Sequence, residues 1–422
     1  MSTRTPSFGR RLQWRLEYAV YLGMEKMIGL LTPRQAAWTG ERLGALVGRV
    51  SARHRRIVER NLRIAFAGEK SPEEVERLAG EVFRRAGANL IASLCTASLD
   101  ARELDKVVEI ENAAVLTDAL ATGKGVVALL AHMGNWEALA QKFPQVMPPG
   151  VQAGDIYRPL SNPLLDARLV RTRERTGLKL FAKSVNPLSL ASFVRAGGGL
   201  GIMSDQRALG IGEIVPFFGR LTACTPLPAV LARRTGATVV GLSVVTQAPG
   251  KWRIKFHRLV GEPTTENCMK LLEVAMRESP SDVFWLQDRW KISHHKPQWE
   301  PGRTPKEGIH RAAAGKLRRC LVWLEDALTP VPALQQAEPD NLAFEYSLPM
   351  EAPHPAWLAA DAIIYRRPLL DRRRLIQAEI TRIDRATALP LDFVYVPQGP
   401  GKVAAVCRQM GMPVATKPEG GE

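Results

Sequence analysis

The sequence predicts an α/β fold, a mostly parallel mixed sheet flanked by helices, with a small further α/β unit at the C-terminal end. Three observations carry this expectation. Apolar runs such as Gly125 to Ala131 and Gly199 to Ser204 read as strands buried on both faces, the pattern of a parallel sheet. Helical patterns separate them, and strands alternating with helices imply parallel connections. Lys251 to Val260 instead alternates Trp252, Ile254 and Phe256 with Arg253, Lys255 and His257, and pairs with Thr238 to Thr246 around Ala248-Pro249-Gly250 as an antiparallel edge hairpin.

The elements follow in order. Met1 to Arg15 is basic and polar, and no signal peptide with a cleavage site follows. Leu16 to Leu31 is apolar except for Glu17, Glu25 and Lys26, too short and too charged for a membrane span, which needs ~20 mostly apolar residues. It suits an amphipathic helix lying in a membrane interface with Arg10, Arg11 and Arg15 near anionic headgroups, or a helix packed on its own domain. Ser51 to Asn61 is strongly basic and Leu62 to Phe66 continues it, either as a solvated helix face or as a holder of anionic lipid. Helix Asn112 to Leu120 precedes the strand at Gly125, and Gly150 to Ile156 reads as the next strand. Ser161-Asn162-Pro163 opens a helix running to about Thr176, Leu178 to Phe181 is a short strand, and Asn186 to Arg195 a helix. Pro226 to Arg234 closes the series as a helix whose last turn is basic before Gly236.

The chemistry gathers where the strand Gly125 to Ala131 ends. His132 stands at its carboxyl end, where open α/β sheets collect ligands. Gly134 permits a sharp turn and Asn135 can cap the next helix, so Glu137 falls in the first helical turn and can reach back to the imidazole. Such a pair can deprotonate a hydroxyl; equally, His132 can make a structural hydrogen bond and Glu137 complement a helix N-terminus. Arg158, in Tyr157-Arg158-Pro159, follows the next strand and offers a planar fork for phosphate or carboxylate, or a surface ion pair. Asp205 and Gln206 follow the strand Gly199 to Ser204 at the same edge, unless Asp205 merely bonds its own loop. Val215 to Arg220 is an apolar Gly/Pro-shaped loop, with Phe217, Phe218 and Gly219 suited to an acyl channel or to plain core.

Composition narrows the classes. With 45% hydrophobic and 24% charged residues, a chain of 422 residues and 46.5 kDa is folded and long enough for one large domain and a smaller one. The excess of 58 Lys+Arg over 42 Asp+Glu, a net +16 and a pI near 9.9, favours polyanionic partners: nucleic acid, an anionic bilayer, a phosphorylated glycolipid or an acidic carrier protein. Nucleic acid is disfavoured because no aromatic interleaving, zinc-finger, RRM or KH pattern is present. Cys95, Cys224, Cys268, Cys320 and Cys407 lack Cys-x-x-Cys spacing, so neither a zinc site nor a disulfide framework is indicated and a reducing compartment fits best.

His132-Met133-Gly134-Asn135-Trp136-Glu137 resembles the His-x4-Asp/Glu motif of glycerolipid-type acyltransferases, the lysophospholipid acyltransferase superfamily. The likeness is greatest to the branch holding the late lipid A (lauroyl/myristoyl) and phosphatidylinositol mannoside acyltransferases. Further blocks occur in that branch's order: Tyr157-Arg158-Pro159 with Asn162-Pro163-Leu164, Asp205-Gln206, Val215 to Gly219, and Phe284-Trp285-Leu286-Gln287-Asp288-Arg289-Trp290-Lys291. They cover roughly residues 15 to 295. Met133 stands where relatives often carry an aromatic, and Cys224-Thr225-Pro226 replaces a Thr-rich turn, which bears on acyl length or acceptor rather than on the reaction.

The resemblance implies an O-acyltransferase moving a fatty acyl chain from acyl carrier protein or acyl-CoA to a hydroxyl of an anionic membrane glycolipid, foremost a lipid A precursor. It implies His132 as general base with Glu137 orienting it, and Asn135 capping the catalytic helix. Arg158 would grip the phosphorylated acceptor or the donor's phosphopantetheine, Asp205 would steer the acceptor or support Arg158, Gln206 would bind substrate beside it, and Phe217 and Gly219 would line the acyl channel. No metal or other cofactor is implied. The expected location is the cytoplasmic face of the bacterial inner membrane, peripheral or monotopic. A phosphatidylinositol mannoside-type acyltransferase and a non-enzymatic basic protein holding anionic lipid are the alternatives.

The expected domains are an arm over 1–50, an acyltransferase domain over 51–298, a linker over 299–310 centred on Pro301 to Gly308, and an accessory α/β unit over 311–422. In the last, Leu317 to Leu324, Leu342 to Leu348, Ala360 to Tyr365 and Phe393 to Val396 read as strands, and Leu369 to Ala386 and Gly401 to Met410 as helices. Gly399-Pro400-Gly401 is a weak phosphate-loop hint, and an accessory role is favoured over nucleotide-sugar binding because no acidic or histidine constellation marks the strand ends.

Overall fold

The structure is a computed structural model that describes residues 7–208, 210–291, 316–326, 342–399 and 401–416. Helices α1 (Phe8–Ile28), α2 (Pro33–Val50), α3 (Ala52–Ala65), α4 (Pro72–Thr96) and α5 (Ala101–Asp105) precede the first strand. Strands and helices then alternate: β1 (Val108–Glu111), α6 (Ala113–Ala121), β2 (Val126–Leu130), α7 (Trp136–Lys142), β3 (Ala153–Tyr157), α8 (Pro163–Glu174), β4 (Lys179–Ala182), α9 (Pro187–Arg195) and β5 (Gly199–Met203). A hairpin, β6 (Glu213–Phe217) and β7 (Arg220–Cys224), leads to α10 (Leu227–Thr235), the long pair β8 (Thr238–Ala248) and β9 (Lys251–Arg258), and α11 (Thr265–Arg277). After them come β10 (Arg318–Trp323), β11 (Leu342–Pro349), β12 (Ile363–Arg367), α12 (Arg373–Asp384), β13 (Leu391–Val396), α13 (Lys402–Met410) and β14 (Val414–Thr416).

Local chemistry sets the boundaries. Asn162 and Asn186 accept from the first backbone amides of α8 and α9, and each is followed by a proline whose missing N–H costs nothing at that position. Gly236 ends α10 with a left-handed backbone at φ 74°. The linker expected at 299–310 lies outside the described residues.

The chain forms two compact units. One gathers the stretch up to Ala52 with Arg77–Gln206 and Thr225–Phe284; the other gathers Arg53–Glu76, Arg207–Cys224 and the described residues from Trp285 onward.

The first unit holds a seven-stranded sheet in the order β1-β9-β8-β2-β5-β3-β4. Every neighbouring pair is parallel except β8 with β9. The β8/β9 hairpin was expected at the sheet edge; the short β1, which pairs in parallel with β9 outside it, makes it internal instead. All five residues of β2 are buried between β8 and β5, as its unbroken apolar run requires. Helix α1 buries no residue fully. It is tied to α8 by Glu25 with Arg168 and by Asn162, which donates to the Trp14 carbonyl and to Glu17. Phe8, Leu12, Leu16, Val20, Met24 and Met27 stay exposed along a broad side of the helix. No described helix is long and apolar enough to cross a membrane.

The second unit holds an all-parallel five-stranded sheet, β12-β11-β10-β13-β14. Alternate residues of β10 feed opposite faces: Leu321 and Trp323 pack with α12 and α13, whereas Cys320 and Val322 pack with Leu342, Leu348 and Phe393. Under the sheet end lies Asp392, fully buried, which accepts from Arg60 at 2.7 Å, from Arg220 at 2.8 Å and from the Arg319 amide at 2.9 Å, with Arg318 at 3.5 Å. Burial alone would raise this carboxyl, but the three guanidiniums outweigh it and hold it below the usual carboxylate range. The β6/β7 hairpin belongs to this unit and corrects the expectation of a loop at Val215 to Gly219. Phe218 and Gly219 form its two-residue turn, both with positive φ (50° and 73°), the backbone a tight hairpin demands.

Candidate active site

The site is built in the first unit, at the carboxyl ends of β2, β5 and β3, which lie side by side in the sheet. His132 follows β2, Asp205 follows β5 and Arg158 follows β3. His132 Nδ1 lies 2.8 Å from Asp205 Oδ1, with the imidazole side chain 21% exposed and the carboxylate 9%. Burial pushes the imidazolium down, but the Asp205 charge and hydrogen bond, helped by Asp155 and Glu137, outweigh it and raise the His132 pKa. Asp205 therefore accepts the Nδ1 proton, and Nε2 is left as the basic nitrogen. Trp136 packs edge-on to the ring with centroids 5.5 Å apart.

The turn that presents His132 is held on both sides. Gly134 takes φ 54°, and a Cβ there would stand 2.3 Å from the Val244 carbonyl oxygen, so only glycine fits. Its N–H donates to the Asp282 carbonyl, Met133 bridges Val283, and the Phe284 N–H donates to the His132 carbonyl. Asp282 is itself buried, its carboxylate accepting from Asn89, from the Thr246 amide and hydroxyl and from the Ser279 hydroxyl. Asn135 caps α7 through the Ala138 amide and donates to Thr96.

Glu137 does not reach the imidazole. It binds Arg173 on α8 through two hydrogen bonds, 2.6 and 3.0 Å, a planar fork on a carboxylate. The expected orienting partner is thus replaced by Asp205. The physical reason is direction: α7 carries Glu137 toward α8, while the parallel neighbour β5 delivers a carboxylate to the strand end. Arg173 went unnoticed in the sequence, one of several arginines in α8 with nothing to mark it. Its third nitrogen lies 3.9 Å from Asp155.

The remaining expected residues divide. Arg158 and Gln206 are exposed at the sheet edge. Phe217 and Gly219 belong to the second unit, where Phe217 stacks on Trp290 within a closed aromatic cluster with Phe218, Phe66 and Trp285. In that role Phe217 is core and Gly219 is turn. A small apolar cavity of about 20 Å³ exists in the first unit instead, between α7 and the sheet, lined among others by Leu130, Trp136, Leu139, Phe143, Leu178 and Met203. No group of His, Cys, Asp or Glu suited to a metal ion occurs among the described residues.

A strand-end imidazole backed by a carboxylate and partly open to solvent is equipped to remove a proton from a hydroxyl. A search of the curated proteins finds no match. A family model described as bacterial lipid A biosynthesis acyltransferase matches residues 6–292.

Proposed function

The chain belongs to the bacterial lipid A biosynthesis acyltransferase family and is an acyltransferase, and from that premise we propose a direct transfer in which His132 is the general base. The acyl donor is a thioester, of acyl carrier protein or of acyl-CoA, and the acceptor a hydroxyl of a lipid A precursor, in the manner of the late lauroyl and myristoyl enzymes. The observation that carries this reading is the 2.8 Å contact between His132 Nδ1 and Asp205.

His132 Nε2 takes the proton of the acceptor hydroxyl as that oxygen attacks the thioester carbonyl. The tetrahedral intermediate collapses, the C–S bond breaks, and the imidazolium returns its proton to the departing thiolate. Asp205 holds the tautomer and stabilises the imidazolium without taking the proton. The acceptor oxygen stands where a hydrolase would use a serine, so no acyl-enzyme is needed. Arg158, exposed at the neighbouring strand end, is suited to a phosphate of acceptor or donor.

We place the enzyme on the cytoplasmic face of the bacterial inner membrane, held by the apolar side of α1 with Arg10, Arg11 and Arg15. The residues 51–298 are proposed as the acyltransferase domain and 311–422 as an accessory unit. The test is transfer from dodecanoyl and tetradecanoyl carrier protein to a panel of lipid A precursors and mannosylated phosphoinositides, with products identified by mass. His132→Ala should lose at least ~10²-fold in turnover. A purified His132→Ala variant with near wild-type transfer would remove the base from the mechanism.

A further inference from the structure

Helix α2 presents an exposed apolar face. Leu43, Leu46, Val47 and Val50 recur at the spacing that puts four residues on one side of a helix, and all four are exposed. Trp38, Arg42 and Arg49 border this row; the indole is exposed, and the Arg42 guanidinium lies over it, 3.2 Å from the ring centroid. The opposite side of α2 is locked to the first unit. A Cβ at Gly40 would collide with the Gly87 carbonyl oxygen and one at Gly44 with that of Phe83, so α2 meets α4 backbone to backbone. At the start of α2, a Cβ at Gly250 in the β8/β9 turn would collide with the backbone of Pro33 and Arg34. Helix α4 in turn grips the site: Asn89 donates to Asp282, and Thr96 accepts from Asn135.

We propose, building on the membrane placement above, that this face of α2 lies in the interface of an anionic lipid bilayer, as a second contact besides α1, and fixes the attitude of the first unit to the membrane. The chemistry of the face selects lipid. Aliphatic side chains can enter the acyl boundary while an indole sits at headgroup level and guanidiniums reach the phosphates. A second copy of the chain is a poorer match. Glu41, the one acidic residue of α2, falls in the row of Gly44 and Gly48, so nothing on the exposed side pairs with a neighbour's arginines, and two chains of net charge +16 repel each other. The two helices then divide the work. Helix α1 buries no residue fully and is tied to α8 by polar contacts, which suits a tether. Helix α2, seamed to α4 by glycines, cannot tilt without carrying along the helix that grips Asn135, which suits a rudder.

The cysteines are all buried, so a dye can be placed selectively on the full-length Val47→Cys variant. An environment-sensitive nitrobenzoxadiazole label there should brighten and shift to the blue on phosphatidylglycerol vesicles, and respond less on phosphatidylcholine vesicles. Replacing Leu43, Leu46 and Val47 together with glutamate should weaken co-sedimentation with phosphatidylglycerol vesicles by at least about tenfold. Its melting curve should match the wild type, since all three side chains are exposed. A label that does not respond to vesicles that sediment the protein, or a triple variant that sediments like the wild type, overturns the role of α2 and leaves the contact through α1 standing. An equal response on phosphatidylcholine removes the anionic lipid from the proposal. A blue shift without lipid, together with a dimer's mass in light scattering, assigns the face to a second copy instead. Sedimentation with no vesicle refutes the membrane placement, and this inference with it, whatever the transfer assay above returns.

Discussion

His132 and Asp205 are 73 residues apart in sequence and 2.8 Å apart in space, joined because β2 and β5 are parallel neighbours that end at the same level. The pair, rather than His132 with Glu137, sets the basicity of the site. Asp205→Asn should lower kcat by at least about a hundredfold, since the neutral amide neither stabilises the imidazolium nor fixes the Nδ1–H tautomer.

The same contact fixes the pH dependence. Asp205 raises the His132 pKa above its ordinary 6.5, so the basic form is lost at a higher pH than for a free imidazole. The acid limb of kcat/KM should lie above 6.5 in the wild type and move down in residual Asp205→Asn activity. In stability the sign is opposite in sense. The pair's contribution is full below pH 6.5 and disappears as the pH rises through the raised value. A pH–rate profile unchanged in Asp205→Asn would count against the assignment.

Asp155 gives a second, separate pH signature. Burial, only partly offset by Arg173, raises its carboxyl to about 6. The folded protein thus holds this proton more tightly than the unfolded chain, an advantage present at acid pH and lost as the pH rises through about 6. At neutral pH the ionised form costs up to about 3 kcal/mol. Asp155→Asn should therefore stabilise the fold at pH 7.5 and do little at pH 4, as read from urea midpoints at both values.

Asp282 acts on the site at one remove. Its carboxylate collects donors from Asn89, Thr246 and Ser279, while its carbonyl receives the Gly134 N–H of the turn that presents His132. Asp282→Ala should cost roughly 3 kcal/mol by leaving buried donors unpaired. It should also lower kcat at temperatures where the variant remains folded. A melting curve matching the wild type would show the network to be dispensable.

The apolar side of α1 predicts binding to anionic vesicles. Replacing Leu12, Leu16 and Val20 together with glutamate should weaken co-sedimentation with phosphatidylglycerol vesicles by at least about tenfold. Added salt should weaken the wild type as well, through Arg10, Arg11 and Arg15. Undiminished sedimentation of the triple variant would place the membrane contact elsewhere.

Much of this was legible in the sequence because parallel sheets advertise themselves. The apolar run before His132 and the strand before Asp205 placed both side chains at one edge, and Asn162 and Gly236 marked helix ends correctly. Partner choice was not legible. A spacing of five residues says that Glu137 is near His132 along the chain but not which way the helix turns it. Arg173 and Asp155 carry no local signature, since their meaning comes from α8 and β3 facing α7. The turn at Phe218-Gly219 was misread because a bulky residue at positive φ is rare, so Phe217 and Gly219 looked like loop rather than hairpin.

Asp392 sets a limit on shortening the chain. It lies on β13, yet it binds Arg60 on α3 and Arg220 on β7; cut before residue 391, the polypeptide would leave Arg60 with Asp288 alone and Arg220 without the carboxylate that binds it. A guanidinium on β7 built for a dry, paired setting would then be buried and uncompensated. A truncation that keeps every residue of the strand ends around His132 would still leave the hairpin short of an anion that only the far end of the sequence supplies.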